Sequence, residues 1–122
     1  MIRQTSIRVT TTGSAGSAAG TGISSYPIVG RVVGLNVNFH ASAPATTDTT
    51  IRTTAAPTYN IWAISNSVTD VFVQPAGKPV DNANAAITNA HAPIPVADYI
   101  TVSVAQCDAL TDAVVVTVLY EE

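Results

Sequence analysis

The sequence predicts an all-β protein, a two-sheet antiparallel sandwich that is jelly-roll-like and has about seven or eight strands. Three observations carry this prediction. Apolar and polar residues alternate with a period of two in several segments, β-branched residues dominate those segments, and turn-forming residues recur between them. No segment has the sustained period of an amphipathic helix. The 122 residues suffice for one core, so we treat 1–122 as a single domain.

The clearest strand pattern lies at 98–122 and predicts a β-hairpin. Its first arm, 100–105, alternates apolar residues with small polar ones, whereas its second arm, 114–120, is apolar on both faces. The short polar link at 106–112 predicts that the two arms are antiparallel neighbours. The two apolar faces of the second arm predict that another part of the protein covers its outer side.

Shorter alternating segments precede this hairpin, and each of them predicts a strand. Between them and the hairpin, 80–94 has no clear pattern beyond a weak strand near Ile87, and we expect Pro93 and Pro95 to end any regular structure. The earlier predicted strands are 2–12, 26–40, 48–54, 59–64 and 68–74.

A segment rich in Gly, Ser and Ala predicts a flexible loop or arm at 13–25. Two interpretations stay open for it. It is either a linker between two strands or an arm that becomes ordered against a neighbouring subunit.

The low charge of the chain restricts the classes of partner. Charged residues make up 11% of the sequence, against roughly 25% in a typical soluble domain. The net charge is −3 and there is no basic stripe, so we expect no nucleic-acid binding. No apolar run approaches the roughly 20 residues that span a bilayer, and no secretory signal pattern opens the chain. We therefore expect a protein made in the cytoplasm that does not bind membranes.

Residues that often carry chemistry show no catalytic or metal-binding spacing. His40 and His91 stand far apart without a second ligand at metal spacing, and Cys107 is the single cysteine. We expect Cys107 to be a reduced thiol in a loop, although a disulfide to another subunit stays open.

Three aspartates flank the predicted hairpin, and Asp is common at such positions for local hydrogen bonding. These residues are Asp98, Asp108 and Asp112. We therefore expect no catalytic residue, no cofactor and no metal, and a protein that is not an enzyme. Four aromatic residues admit two interpretations, a sugar-stacking platform or core packing. They are Tyr26, Tyr59, Trp62 and Phe72.

The segment 30–40 (GRVVGLNVNFH), followed by an Ala-Pro-Ala-Thr-Thr-Asp run, resembles small virion structural proteins of tailed bacteriophages. These are capsid decoration (cement) proteins or minor head proteins. The resemblance implies a viral structural protein on the capsid surface that stabilises the phage head by bridging copies of the major capsid protein. Two alternatives stay open: another virion component, such as a head–tail connector or tail protein, and a carbohydrate-binding β-sandwich module.

Low charge also predicts self-association, because a small domain with few charges must expose neutral and apolar groups. We expect a homotrimer. The predicted subunit or capsid contacts are Gly13, Gly16, Gly20, Gly22, Trp62 and Leu119.

Overall fold

The computed structural model describes residues 1–55, 58–77 and 82–122, and these residues form ten strands. The strands are β1 (Ile2–Val9), β2 (Ala18–Ile23), β3 (Ile28–Phe39), β4 (Asp48–Thr53), β5 (Asn60–Ile64), β6 (Val71–Val73), β7 (Ala76–Gly77), β8 (Ala92–Asp98), β9 (Ile100–Cys107) and β10 (Val114–Glu121).

The strands form two antiparallel sheets. Sheet I has the order β1-β10-β3-β8-β7, with β6 also paired to β3, and sheet II has the order β2-β9-β4-β5. Without the short β6 and β7, four strands remain in each sheet, in the order of a jelly roll built from two Greek keys. The predicted all-β, two-sheet, jelly-roll-like class is confirmed, and the eight long strands match the predicted number.

The core lies between the two sheets and consists largely of β-branched side chains. Val102 of β9, Val116 of β10 and Val37 of β3 are all 0% exposed. Side chains alternate between the two faces of a strand, so each inward valine leaves its neighbours on an outer face. The alternation that builds the core therefore also determines which residues each sheet presents to solvent.

The predicted hairpin at 98–122 is wrong. Its two arms are β9 and β10, but β9 pairs with β2 and β4 in sheet II, whereas β10 pairs with β1 and β3 in sheet I. The link at 108–113 joins the two sheets, and Gln106 near the end of β9 and Asp112 within the link have positive φ angles of 53° and 51°. Each arm thereby gains two hydrogen-bonded neighbours, and the apolar faces of the two arms both line the core.

The segment predicted as a loop or arm at 13–25 contains a strand, so that prediction is wrong for Ala18–Ile23. This stretch forms β2 and pairs with β9. Gly22 shows why small residues are needed, because a Cβ built there would lie 2.5 Å from the carbonyl oxygen of Arg8 in β1. Glycine in this strand permits close approach of the two sheets.

The expectation that Pro93 and Pro95 end regular structure is also wrong, because both lie within β8. Residues two apart in a strand direct their backbone nitrogens to the same edge. The missing N–H groups therefore fall together on one edge, where proline is tolerated. That edge of β8 pairs only with the short β7, opposite Ala92 and Pro93, among the residues that the structure describes.

The outer face of sheet I is nearly free of charge, and we call it the neutral face. The ring of Phe72 lies over Gly34, where a Cβ would sit 2.8 Å from the ring and 3.2 Å from the side chain of Leu119. Phe72 thus supplies part of the cover predicted for the outer side of β10. The neutral face comprises Gln4, Ser6, Asn36, Asn38, Phe72, Val115, Thr117 and Leu119.

We expect Thr49→Val to stabilise the protein. The Thr49 hydroxyl is buried in the core and has no hydrogen-bond partner among the described residues, so an isosteric methyl group removes the cost of desolvating it. The expected gain is about 1 kcal/mol in the free energy of unfolding, or about 4 °C in Tm. Thermal unfolding measures it, with Thr50→Val on the opposite face of β4 as the control. A Thr49→Val protein that is no more stable than the control would contradict this account of the core.

Candidate ligand-binding face

The outer face of sheet II gathers hydroxyl groups around one guanidinium. Ile51 and Thr53 of β4 point into the core, so Arg52 between them points outward. In the antiparallel register Arg52 lies between Thr101 of β9 and Asn60 of β5. We call this surface the Arg52 face. It comprises Thr21, Ile23, Thr50, Arg52, Asn60, Thr101 and Ser103.

The hydrogen bonds on this face determine which hydroxyl groups donate and which accept. One Arg52 amino group donates to Ser103 Oγ at 2.6 Å, so the Ser103 proton is free to donate elsewhere. The Thr54 hydroxyl donates to the carbonyl of Tyr99 at 2.9 Å, and it lies 2.6 Å from the Thr101 hydroxyl. Thr101 must therefore be the donor to Thr54, and because the residue is only 4% exposed its hydroxyl supports the face from beneath rather than meeting a ligand.

Arg52 differs from the other arginines in its charge environment. Each of the other three forms an ion pair with a carboxylate, and these half-exposed pairs lie on sheet I. They are Arg3–Glu122, Arg8–Asp112 and Arg31–Glu121, with N···O distances of 2.9, 2.9 and 3.0 Å. No carboxylate among the described residues lies within ion-pair distance of Arg52. The Arg52 face consequently carries an uncompensated positive charge on a protein whose net charge is −3.

Tyr59, which directly precedes β5, is exposed but held in place. Its hydroxyl donates to the carbonyl of Pro95, and its backbone N–H donates to Thr53 Oγ1 at 3.1 Å. The side chain is nevertheless 44% exposed. An aromatic ring anchored at both ends loses little conformational entropy when a ligand stacks on it.

A groove of about 410 Å³ opens beside Tyr59, within the range of about 300–1,000 Å³ that is usual for small-ligand sites. Asn60 lines this groove and is also the strand partner of Arg52. Asn60 therefore belongs to both the groove and the Arg52 face. The described lining residues are Tyr59, Asn60, Gly77, Ala92, Pro93, Ile94 and Pro95.

Asp98 secures the loop that follows Arg52. Its Oδ2 accepts hydrogen bonds from the N–H groups of Thr54 and Ala55 at 2.9 and 2.7 Å, and its Oδ1 accepts one from Tyr99 at 2.7 Å. The N–H of Ala55 is the strongest influence that lowers the pKa of the Asp98 carboxyl; burial opposes it, and the N–H groups of Tyr99 and Thr54 add to it. Asp98 is thus a structural acid, and it positions one end of the Arg52 face.

The structure does not bring the predicted contact residues together. Gly13 and Gly16 lie in the exposed turn before β2, where the Gly16 N–H donates to Asp108 Oδ1 at 2.9 Å. Gly20 and Gly22 lie in β2, Gly20 against the backbone of Thr10 and Thr11 just after β1 and Gly22 against the carbonyl of Arg8 in β1. Trp62 is half-buried against the core, and Leu119 is half-buried beside Phe72. Their assignment as subunit or capsid contacts stays a prediction.

The other candidates from the sequence occupy separate places. Tyr26 and Phe72 are exposed and lie on different parts of the surface from Tyr59, while Trp62 packs on the core, so these four rings form no common platform. Cys107 ends β9 and is 0% exposed, which corrects its predicted place in a loop.

The polar candidates are also separated. His40 is half-buried, and its Nδ1 accepts the N–H of Ser42 at 3.0 Å. In the described ranges, no three His, Cys, Asp or Glu side chains are grouped in a way that could hold a metal ion. The same ranges contain no helix with the length and apolar character that crossing a membrane requires.

Sequence reasoning missed Arg52, Asn60 and Tyr99. Arg52 was recognisable as a charge in the middle of a Thr-rich strand, but its lack of a partner depends on how the sheets pair. Tyr99 is 41% exposed and lies two residues before Thr101, so it points toward the same outer side. Asn60 gains significance only through its register with Arg52.

Comparison with known proteins finds no matching family model and no matching curated protein. Among solved structures, a family 29 carbohydrate-binding module is 12% identical, with 98% of this chain and 77% of that chain covered and a TM-score of 0.39. The family 32 module of AlyQ, in complex with 4,5-unsaturated mannuronic acid, is 8% identical, with 94% and 75% covered and a TM-score of 0.42. A family 32 module of a Clostridium perfringens family 31 glycoside hydrolase is 11% identical, with 100% and 76% covered and a TM-score of 0.36. These likenesses concern the β-sandwich alone.

We expect Asp98→Asn to destabilise the protein in a pH-dependent way. The folded-state pKa of Asp98 is lowered, so its stabilisation is present above the unfolded pKa of about 3.9 and is lost as the pH falls through the folded pKa. Urea midpoints should therefore differ between wild type and variant at about pH 7 and converge at about pH 2. Glu122→Gln, which removes an exposed ion pair, should change the midpoint little. An Asp98→Asn deficit of equal size at both pH values would show that the carboxylate charge is irrelevant.

Proposed function

We propose that this protein is a non-catalytic carbohydrate-binding β-sandwich that holds a saccharide on the Arg52 face and in the adjoining groove. The observation that carries the proposal is the position of Asn60, which joins the apolar groove beside Tyr59 to the polar row around Arg52. A saccharide offers both an apolar ring face and many hydroxyl groups, so it needs an aromatic surface beside dense hydrogen-bonding groups.

The chemistry of the lining suits such a ligand. The ring of Tyr59 can stack on the C–H face of a sugar, and Asn60 offers amide donors and an acceptor. Hydroxyl groups of Thr50 and Ser103 and the free N–H groups of Arg52 lie along the neighbouring strands. Small-ligand sites generally combine an apolar wall with a few convergent polar groups, as here.

The described carboxylates support binding rather than catalysis, because each is engaged by a local partner. Asp48 accepts the N–H of Asn66, and Asp70 accepts the N–H of Phe39. The remaining described acids accept backbone N–H groups or pair with arginine; they are Asp98, Asp108, Asp112, Glu121 and Glu122. These acids stabilise turns and strand ends.

We expect Tyr59→Ala to weaken binding to a retained polysaccharide about tenfold, because stacking on the ring is lost. Tyr59→Phe keeps the ring and removes only the hydrogen bond to Pro95, so it should retain most of the binding. Affinity electrophoresis against a panel of neutral and acidic polysaccharides measures both. If no polysaccharide retards the wild-type protein, or if Tyr59→Ala binds like wild type, the proposal is overturned.

A second candidate function rests on the neutral face of sheet I. This surface carries apolar and neutral polar side chains, and the charges that the described residues place at its margins are the ion pairs Arg8–Asp112 and Arg31–Glu121 and the Asp70 carboxylate, which accepts the N–H of Phe39. Such a surface suits an uncharged area of another protein, since docking on its centre desolvates no charged side chain. The partner we propose is the major capsid protein of a phage head, with this chain, self-associated as a homotrimer, acting as a decoration protein on the virion surface.

We expect Thr117→Asp to abolish attachment to capsids that lack the protein, because it places a charge at the centre of the neutral face. The variant should fold, since Thr117 points outward on β10. Cosedimentation with such capsids measures attachment, and Thr50→Asp on the other sheet serves as the matched control. Equal attachment of both variants, or none by wild type, would exclude the neutral face as a capsid contact.

A further inference from the structure

We propose that Arg52 recognises a carboxylate on the bound saccharide, so that the preferred ligand is an acidic sugar of the uronic acid class. This inference rests on the proposed carbohydrate-binding function and specifies its ligand. It follows from the charge and hydrogen-bonding state of Arg52 and its neighbours.

The guanidinium of Arg52 has more N–H donors than the described residues engage. A guanidinium carries five N–H groups in a planar fork. One Arg52 amino group bonds Ser103 Oγ at 2.6 Å, and no described carboxylate pairs with the side chain. This bond fixes one branch of the fork on the sheet, and no described residue accepts a hydrogen bond from the remaining donors, which can meet a ligand. Since bidentate pairing with a carboxylate is the strongest use of such a fork, an anionic oxygen pair is the best-matched partner.

The neighbours of Arg52 also favour a negatively charged ligand. The Ser103 hydroxyl accepts from Arg52 and so retains its own proton to donate. The Asn60 amide adds donors on the other side of Arg52. Of the nearby acids, Asp98 is occupied by three backbone N–H groups. Asp48 lies four residues away along β4, or roughly 13 Å. The unpaired charge and donor-only fork of Arg52, with donors from Ser103 and Asn60 beside it, therefore suit a carboxylate better than a neutral hydroxyl group.

The groove beside Tyr59 indicates that the carboxylate belongs to a saccharide, because the groove shares Asn60 with the Arg52 face. Asn60 joins Arg52 to Tyr59, whose exposed ring lies beside two prolines. A pyranose ring stacked on Tyr59 in a chain of linked sugars would bring a neighbouring residue toward Arg52. One ligand therefore engages both parts of the surface if it is an extended chain and the sugar that reaches Arg52 carries a carboxylate.

The test compares an oligogalacturonate with its fully methyl-esterified form, which has the same rings but no charge. We expect wild type to bind the acid form about tenfold to a hundredfold more tightly than the ester. Arg52→Gln should lose that preference and bind both the acid form and the ester with the low affinity that wild type has for the ester. Arg52→Lys, which keeps the charge without the fork, should fall between them. Arg8→Gln is the matched control, because it removes an arginine on sheet I and should leave the preference intact.

Titration calorimetry measures the affinities, and circular dichroism at the temperature of the titration confirms that the variants are folded. The preference should also shrink with added salt. Equal wild-type affinity for acid and ester, or an acid preference that survives in Arg52→Gln, overturns this inference while leaving carbohydrate binding in place. If wild type binds neither these oligosaccharides nor any polysaccharide of the neutral and acidic panel, the proposed function itself fails.

Discussion

The buried core that β9 and β10 share is the feature on which the rest of the structure depends. Each is a central strand of its own sheet, and their inward valines, Val102, Val104, Val114 and Val116, belong to one buried cluster. Burying a valine contributes roughly 1.5–3 kcal/mol, so this cluster supplies a large part of the driving force for bringing the sheets together. Once these residues point inward, alternation fixes the outward positions, including Thr101 and Ser103 beside Arg52.

The same packing accounts for what the sequence predicted and what it did not. The period of two in β1, β3, β4 and β10 predicts strands and their buried faces, because alternation is a local property of the chain. The choice of partner strand is not local. A short polar link between two apolar strands fits a hairpin as well as a crossing between sheets, so 98–122 was assigned to one sheet.

The remaining errors have related causes. The glycines in 13–25 predict a flexible chain, whereas Gly22 admits the backbone of β1 at close range. The prolines of β8 predict the end of a strand, but they share one edge of that strand. In both cases the residue type fits two structures, and only tertiary contact decides between them. The Arg52 face was missed for the same reason, because an unpaired charge cannot be recognised until the positions of all carboxylates are known.

The two outer faces of the sandwich differ in a way that bears on function. The neutral face of sheet I has its charges neutralised at both ends, whereas the Arg52 face of sheet II keeps one charge uncompensated among hydroxyl groups. Jelly rolls serve both as capsid proteins and as lectins, so the fold alone decides nothing. The side chains on each face determine which ligand it suits. The two faces differ enough for one to serve attachment and the other ligand binding.

The most direct test of the central claim is to map the ligand on the protein by NMR. A ¹⁵N-labelled sample is titrated with an acidic oligosaccharide, and chemical shifts of backbone amides and of the Arg52 side-chain N–H are followed. Our account predicts shifts concentrated at Arg52, Asn60, Thr101 and Ser103 and extending to Tyr59, with Thr117 and Leu119 unchanged. Shifts confined to the neutral face of sheet I, with the Arg52 N–H unmoved, would contradict it.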